Sequence, residues 1–327
     1  MMRRLVYALS AAVVVLASAY VTVPFIEYRP GSATSIDELV TLGTPTTPID
    51  GAYDLLTIRV ATPSLGEALL IWADGDRDLT PRSEAIPSDV PQDVYRELQL
   101  AQFSRSFRTA VGVGARAAGF DATVRTRPVV FQVLTGGPSD GLLDVGDVLR
   151  ALDGQPIESA EELIELLRAR TEPGEIVLEV QRSGESRDVT VTTELLPGLE
   201  QPGIGIVVDT IAEEVELPFD AELAETNIGG PSAGMMIALT TYDLLSEEDL
   251  AGGRTIAGTG TIDGDGRVGR IGGISEKVVA AQRAAVDLLL VPESQLDAAL
   301  ADADGSVRIV GVATLDEAIA ALRAGRA

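Results

Sequence analysis

Two short stretches of this chain carry residue types suited to hydrolytic chemistry: NIGGPSAGMMIAL, residues 227–239, and IGGISEKVVAAQRA, residues 271–284. In the first, Ser232 follows Gly-Gly-Pro at the head of an apolar run, where a serine is either a nucleophile or the cap of a buried helix. A nucleophilic hydroxyl needs a base, and the sequence contains no histidine and no cysteine. An imidazole triad, a cysteine nucleophile and a Cys/His zinc site are thereby excluded. Arginine stays protonated near neutrality. Of the 25 basic residues only Lys277 is a lysine, so an amine that activates a serine here is that of Lys277.

The surroundings of both residues suit that chemistry. Gly272 and Gly273 allow a tight approach, and Ser275 is the expected cap of a helix that places Lys277 in its first turn. The positive end of a helix dipole and the apolar flanks Ile274, Val278 and Val279 both favour the neutral amine. Bringing a reference pKa of about 10.4 down to about 7 takes roughly 4 kcal/mol, within what burial supplies. Around Ser232, Pro231 suits a helix start, and free first-turn amides near Gly229, Gly230 and Ser232 could hold an oxyanion. Gly230 and Gly234 keep bulk away from the hydroxyl.

GGPSAGMMIAL, taken with GTGTIDGDGRVGRIGGISEKVVAAQRA at 258–284, resembles the proteolytic domain of the Lon family over about residues 203–325. The resemblance implies a Ser-Lys dyad with Ser232 as nucleophile and Lys277 as general base. It also implies that Thr259 hydrogen-bonds the lysine amine. Gly229 stands where the ATP-dependent members usually carry an acidic residue. No G-x-x-x-x-G-K-[ST] motif is present, so the ATPase motor of full Lon proteases is missing from this sequence and the expected substrates are flexible or unfolded protein segments. The same resemblance implies a homo-oligomeric ring, with a hexamer as its expected size.

The elements expected to position these residues form an α/β (α+β) fold. Over 199–327 the strands IGIVV, EVELPF, GTGTI, DLLLV and VRIVGV alternate with helices after Ser232, after Ser275, near 294–302 and at the end, which is the Lon-type proteolytic domain. Over 123–198, VVFQVL, GGPSDGLLDVGDVLRALDGQPI, a helix opened by Ser159, and the hairpin GEIVLEVQRSGESRDVTVTTEL resemble a bacterial PDZ domain, a β-rich module that binds peptide ends by strand addition. The carboxylate loop of that family would fall just before Val129, where this chain reads RTRPVV.

Residues 29–122 read as a spacer, with little regular structure over 28–50, a strand at 52–61, a helix at 65–73, and a helix over 93–119 with Tyr95, Leu98, Phe103 and Phe107 as apolar contacts. Residues 1–28 read as a cytoplasmic start and one transmembrane helix. Arg3 and Arg4 precede the uncharged run from Leu5 to Ile26, which as a helix reaches about 33 Å. ASA at 17–19 resembles a signal-peptidase site, so an uncleaved anchor and a cleaved leader both stay open.

A formal charge of -25 excludes non-specific attraction to nucleic acid. DGDGR at 263–267 reads as a hairpin turn, lacking the twelve-residue loop and closing glutamate of a calcium site, and no metal or other cofactor is expected. The anchor, the PDZ-like module and the Lon-type domain together resemble the membrane-bound, PDZ-containing Lon-like proteases of bacteria. The expectation is a single-pass membrane protein with its C-terminal domains outside the cytoplasm, acting on protein or peptide substrates. A signal-peptidase-like Ser-Lys protease is the rival enzyme, though GGPSAG does not resemble that family. The S-x-x-K of penicillin-binding enzymes is excluded, because Ile274 stands where their serine would be. The rival from another class is a catalytically silent, membrane-tethered PDZ scaffold.

Overall fold

In the computed structural model of this protein, residues 19–74, 79–82, 92–196 and 201–325 are described. The longest apolar run of the C-terminal half, LLLVP, forms β17 (Leu288–Pro292) and is buried at every position, as a strand covered on both faces must be. It lies parallel to β14 (Arg254–Gly258) on one side and β18 (Arg308–Val312) on the other. Beyond β14 the sheet continues with β3 (Gly51–Ala61), β1 (Phe25–Ser35) and β4 (Leu79–Pro81). Successive side chains of these strands enter opposite cores. Leu55, Ile256, Leu288 and Leu290 meet α4 (Gly234–Leu245) and α7 (Leu315–Ala324), whereas Leu56, Ala257, Leu289 and Val291 meet α5 (Ile274–Ala284) and α6 (Leu296–Ala301). The sheet thus holds α4, which follows Ser232, on one side and α5, which carries Lys277, on the other.

The second sheet has the order β12-β5-β6-β8-β9, from β12 (Ile206–Glu216), β5 (Thr123–Val133), β6 (Val148–Leu152), β8 (Glu175–Arg182) and β9 (Glu185–Thr192), with β7 (Gln155–Pro156) beside β6. Alternating burial along β8 places Ile176, Leu178 and Val180 on its inner face against Leu163 and Leu167 of α3 (Ala160–Arg168). Ser159 caps α3, accepting from the Glu162 amide at 3.2 Å, as expected. Three small ladders complete the set: β2 (Val40–Leu42) with β13 (Ala221–Leu223), β10 (Glu194–Leu195) with β11 (Pro202–Gly203), and β15 (Thr261–Ile262) with β16 (Val268–Gly269). The turn of the last hairpin is DGDGR, as its sequence suggests.

Helix α1 (Leu65–Asp74) follows β3, and α2 (Gln92–Ala117) spans the contact between the two sheets. Its buried Phe103 and Phe107 join the core around α4. Gly114 lets the two helices close: a Cβ there would collide with the carbonyl oxygen of Ala238 and lie 2.8 Å from the Cβ of Thr241.

Four expectations are corrected. Residues 28–50 are not an irregular spacer, because most of β1 and all of β2 lie within them and β1 belongs to the sheet of the C-terminal half. The pattern was hidden by Pro30 and Gly31, which sit at a register shift where Gly31 backs onto Thr57. The end of the expected transmembrane run is extended: Thr22 bridges Ser64, the Leu65 amide donates to Val21 O at 2.7 Å, and Ile26 is buried in β1. Residues 1–18 of that run lie outside the described residues, and among the described residues no helix is long and apolar enough to cross a membrane. IGIVV and EVELPF are not two strands of the proteolytic sheet, since β12 runs from within the first to within the second and pairs with β5 of the other sheet. Finally, RTRPVV is the interior of β5 and not a loop.

The close helix contact gives a direct test. Gly114→Ala is expected to lower the unfolding free energy by about 1–3 kcal/mol, read as a reduced urea midpoint, because a carbonyl oxygen cannot yield as a flexible side chain would. Gly119→Ala is not a matched control, since Gly119 has φ +89°; Gly174, with open space around it, is.

Candidate active site

Ser232 is not a cap. It lies in the turn between Gly230 (φ +85°) and α4, whose N-cap is Ala233 with no side-chain bond. Its carbonyl oxygen accepts from the Gly260 amide at 2.8 Å and from Thr259 Oγ1 at 3.1 Å, and the Met235 amide donates to Gly260 O at 3.0 Å. The segment leaving β14 therefore fixes the backbone of the serine. Thr259 is itself held by the bond from its amide to Leu290 O in β17.

Lys277 approaches from α5. The helix opens at Gly273 in the left-handed region (φ +67°), so Gly273, and not Ser275, is its N-cap. A glycine suits that backbone, and a Cβ there would lie 3.0 Å from Ile58. Lys277 is only 2% exposed. Its Nζ lies 2.8 Å from Ser232 Oγ and 2.8 Å from Thr259 Oγ1. Burial alone lowers the amine's pKa to about 7.

The hydrogen bonds order the protons. Thr259 has one hydroxyl hydrogen, and the carbonyl of Ser232 takes it. Thr259 therefore accepts an N–H from the amine at its own oxygen. A neutral amine so held has its lone pair left for the hydrogen of Ser232.

The expected oxyanion glycines divide. The Gly230 amide donates to Gln99 O in α2 at 2.8 Å, so it is committed to that helix and corrects the expectation that it is free. Gly229 is also set by α2: a Cβ there would lie 2.8 Å from the Cβ of Gln99. A larger residue has no room at this place unless Gln99 shifts. The Ser232 amide bonds to no other described residue.

The pair opens onto a cleft of about 960 Å³ bounded by Tyr28, Ile58, Tyr95, Arg96 and Ile228. None of the described residues lining it is acidic, in a chain with 50 aspartates and glutamates. Sequence reasoning missed α2 as part of this site. Its only signal was helical spacing, which reports packing and not the partner.

Residues 223–322 match the family model described as the Lon protease (S16) C-terminal proteolytic domain. Ser232, Thr259 and Lys277 all fall inside that match. Residues 109–193 match the model of the PDZ domain. Among curated proteins, a probable periplasmic serine endoprotease DegP-like from Pseudomonas savastanoi pv. phaseolicola is 35% identical over 40% of this chain and 28% of its own length. One of the same description from Pseudomonas putida F1 is 32% identical over 50% of this chain and 39% of its own. The chain thus spans well under half the length of these relatives. Among solved structures, the PDZ domain of an SdrC-like protein from Listeria innocua is 22% identical over 25% of this chain and 92% of its own, with a TM-score of 0.24. The match over residues 223–322 supports serine protease chemistry for that stretch of the chain.

A buried amine with a pKa near 7 when folded, against about 10.4 when unfolded, makes stability depend on pH. Between those values the unfolded chain binds more protons, so stability rises with pH over that window and is lowest below about 7. Lys277→Met is expected to raise the unfolding free energy by on the order of 4 kcal/mol at pH 6. In urea titrations the gap to the parent should narrow as pH approaches 10.

Proposed function

We propose that this chain is an ATP-independent serine endopeptidase in which Ser232 and Lys277 form the catalytic dyad. The observation that carries the reading is the 2.8 Å separation of Lys277 Nζ and Ser232 Oγ at an amine whose pKa burial lowers to about 7. The neutral amine takes the hydroxyl proton as the oxygen attacks a peptide carbonyl. The ammonium then protonates the leaving amine. Water, deprotonated by the same amine, releases the acyl group. The Ser232 amide is the backbone donor beside the developing oxyanion. Thr259 keeps the amine directed at the serine. With no nucleotide motor in the chain, the substrates are flexible or unfolded segments of proteins.

The proposed location is the outer face of the membrane, with residues 1–28 as the tether. Arg3 and Arg4 ahead of the apolar run support that direction, as does the word periplasmic in the relatives' names. Intact-mass measurement of the membrane fraction tests the tether: a chain that starts after Ala19 would replace it with a cleaved leader. Assembly into a ring stays part of the proposal by resemblance.

Cleavage of an unstructured peptide is expected to rise with pH through a midpoint near 7, as Lys277 loses its proton. Lys277→Arg is expected to abolish hydrolysis, since guanidinium stays protonated. A fluorophosphonate probe should label Ser232 in the parent and not in Lys277→Arg. Persistent hydrolysis by that variant would overturn the dyad, and absence of labelling in the parent would favour the scaffold.

A further inference from the structure

The helix that backs the nucleophile is itself held by the other module. On α2, Gln99, Gln102 and Ser106 are spaced three and four residues apart and form one row along the helix. Two of them hold the segment before Ser232: Gln99 O accepts from the Gly230 amide at 2.8 Å, and Ser106 Oγ donates to Pro231 O at 3.2 Å. The middle one faces the second sheet, where Gln102 Nε2 donates to Asp209 Oδ2 at 3.0 Å. Asp209 lies on β12, the edge strand of that sheet, and its other oxygen accepts from the Thr210 amide at 2.8 Å. A cavity of about 330 Å³ lies along this contact and is bounded by Gln102, Ser106, Asp209, Glu161 and Pro231. Phe103, Phe107 and Gly114 hold α2 against α4, and Gln102–Asp209 is the side-chain bond that ties this row of the helix to the second sheet.

We propose that Asp209 and Gln102 are positioning residues for Ser232. The bond from β12 sets the placement of α2, and α2 sets Gly230 and Pro231, the two residues that precede the nucleophile. The PDZ-like sheet is then a structural support for the protease site, acting through the edge strand beside α3. This rests on the reading of Ser232 as the nucleophile. Lys277 is carried by α5 and makes no hydrogen bond to α2, so the base keeps its own pKa when the support is lost.

The test uses Asp209→Leu and Asp209→Asn in the full chain; the asparagine keeps an acceptor oxygen for Gln102 and the leucine does not. For Asp209→Leu, kcat on an unstructured fluorogenic peptide is expected to fall about tenfold with KM unchanged. The midpoint of its pH profile should stay near 7, and the Gly230 amide should exchange with deuterium faster than in the parent. Asp209→Asn should recover only part of kcat and Gly230 protection, because its one acceptor oxygen serves Gln102 at the expense of the Thr210 amide. Parent-like kcat in Asp209→Leu overturns the proposal. So does a loss of kcat that follows the folded fraction while Gly230 exchange is unchanged. The reading of Ser232 fails separately, through hydrolysis retained by Ser232→Ala, and Gly230 exchange then still decides whether Asp209 holds α2.

Discussion

The Lys277 amine is taken out of water by two helices and a sheet, with only two hydroxyl oxygens within reach. Burying an ammonium in this way is unfavourable, and the protein relieves the cost by giving up the proton rather than by supplying a carboxylate. Much of the local architecture serves that choice. Leu56, Ala257 and Leu289 place an apolar surface under α5, Gly273 starts the helix without a side chain against Ile58, and Thr259 supplies an acceptor that does not favour the charged form as an aspartate would.

The serine is placed by different means. Its carbonyl is tied to Thr259 and Gly260, so the loop leaving β14 fixes both partners of the pair at once. On the other side, the Gly-Gly pair exists to let α2 approach, and Gly230 gives its amide to that approach. Gly229 cannot take a Cβ without displacing Gln99 of a 26-residue helix, and Gly230 holds a φ of +85° that other residues rarely adopt. The two sides meet at Pro231 and Ser232, where a turn of irregular backbone is held from β14, from α2 and from the start of α4.

What the sequence made legible was chemistry and local form. A lone lysine in a chain without histidine singled out Lys277, GGPSAG singled out Ser232, and Ser159 and DGDGR marked a helix start and a turn that the structure contains. What it hid depends on contacts distant in sequence. Pro30 and Gly31 obscured a strand whose partner lies 25 residues on at Thr57. β12 could not be assigned to its sheet, because alternation marks a strand without naming its neighbour. Ser275 looked like a cap because serine prefers that role, yet a left-handed glycine two residues earlier opens the helix. The Gly230 amide looked free because its acceptor, Gln99, is more than a hundred residues away in the chain.

With every other side-chain cation an arginine, the exterior offers no ε-amine to acylation, carbamylation or conjugation. Reagents and enzymes that seek lysine find one target, at the bottom of the cleft, where modification removes the lone pair that would accept the serine proton. On the reading of Lys277 as the base, lysine labelling and inactivation are in this molecule the same event.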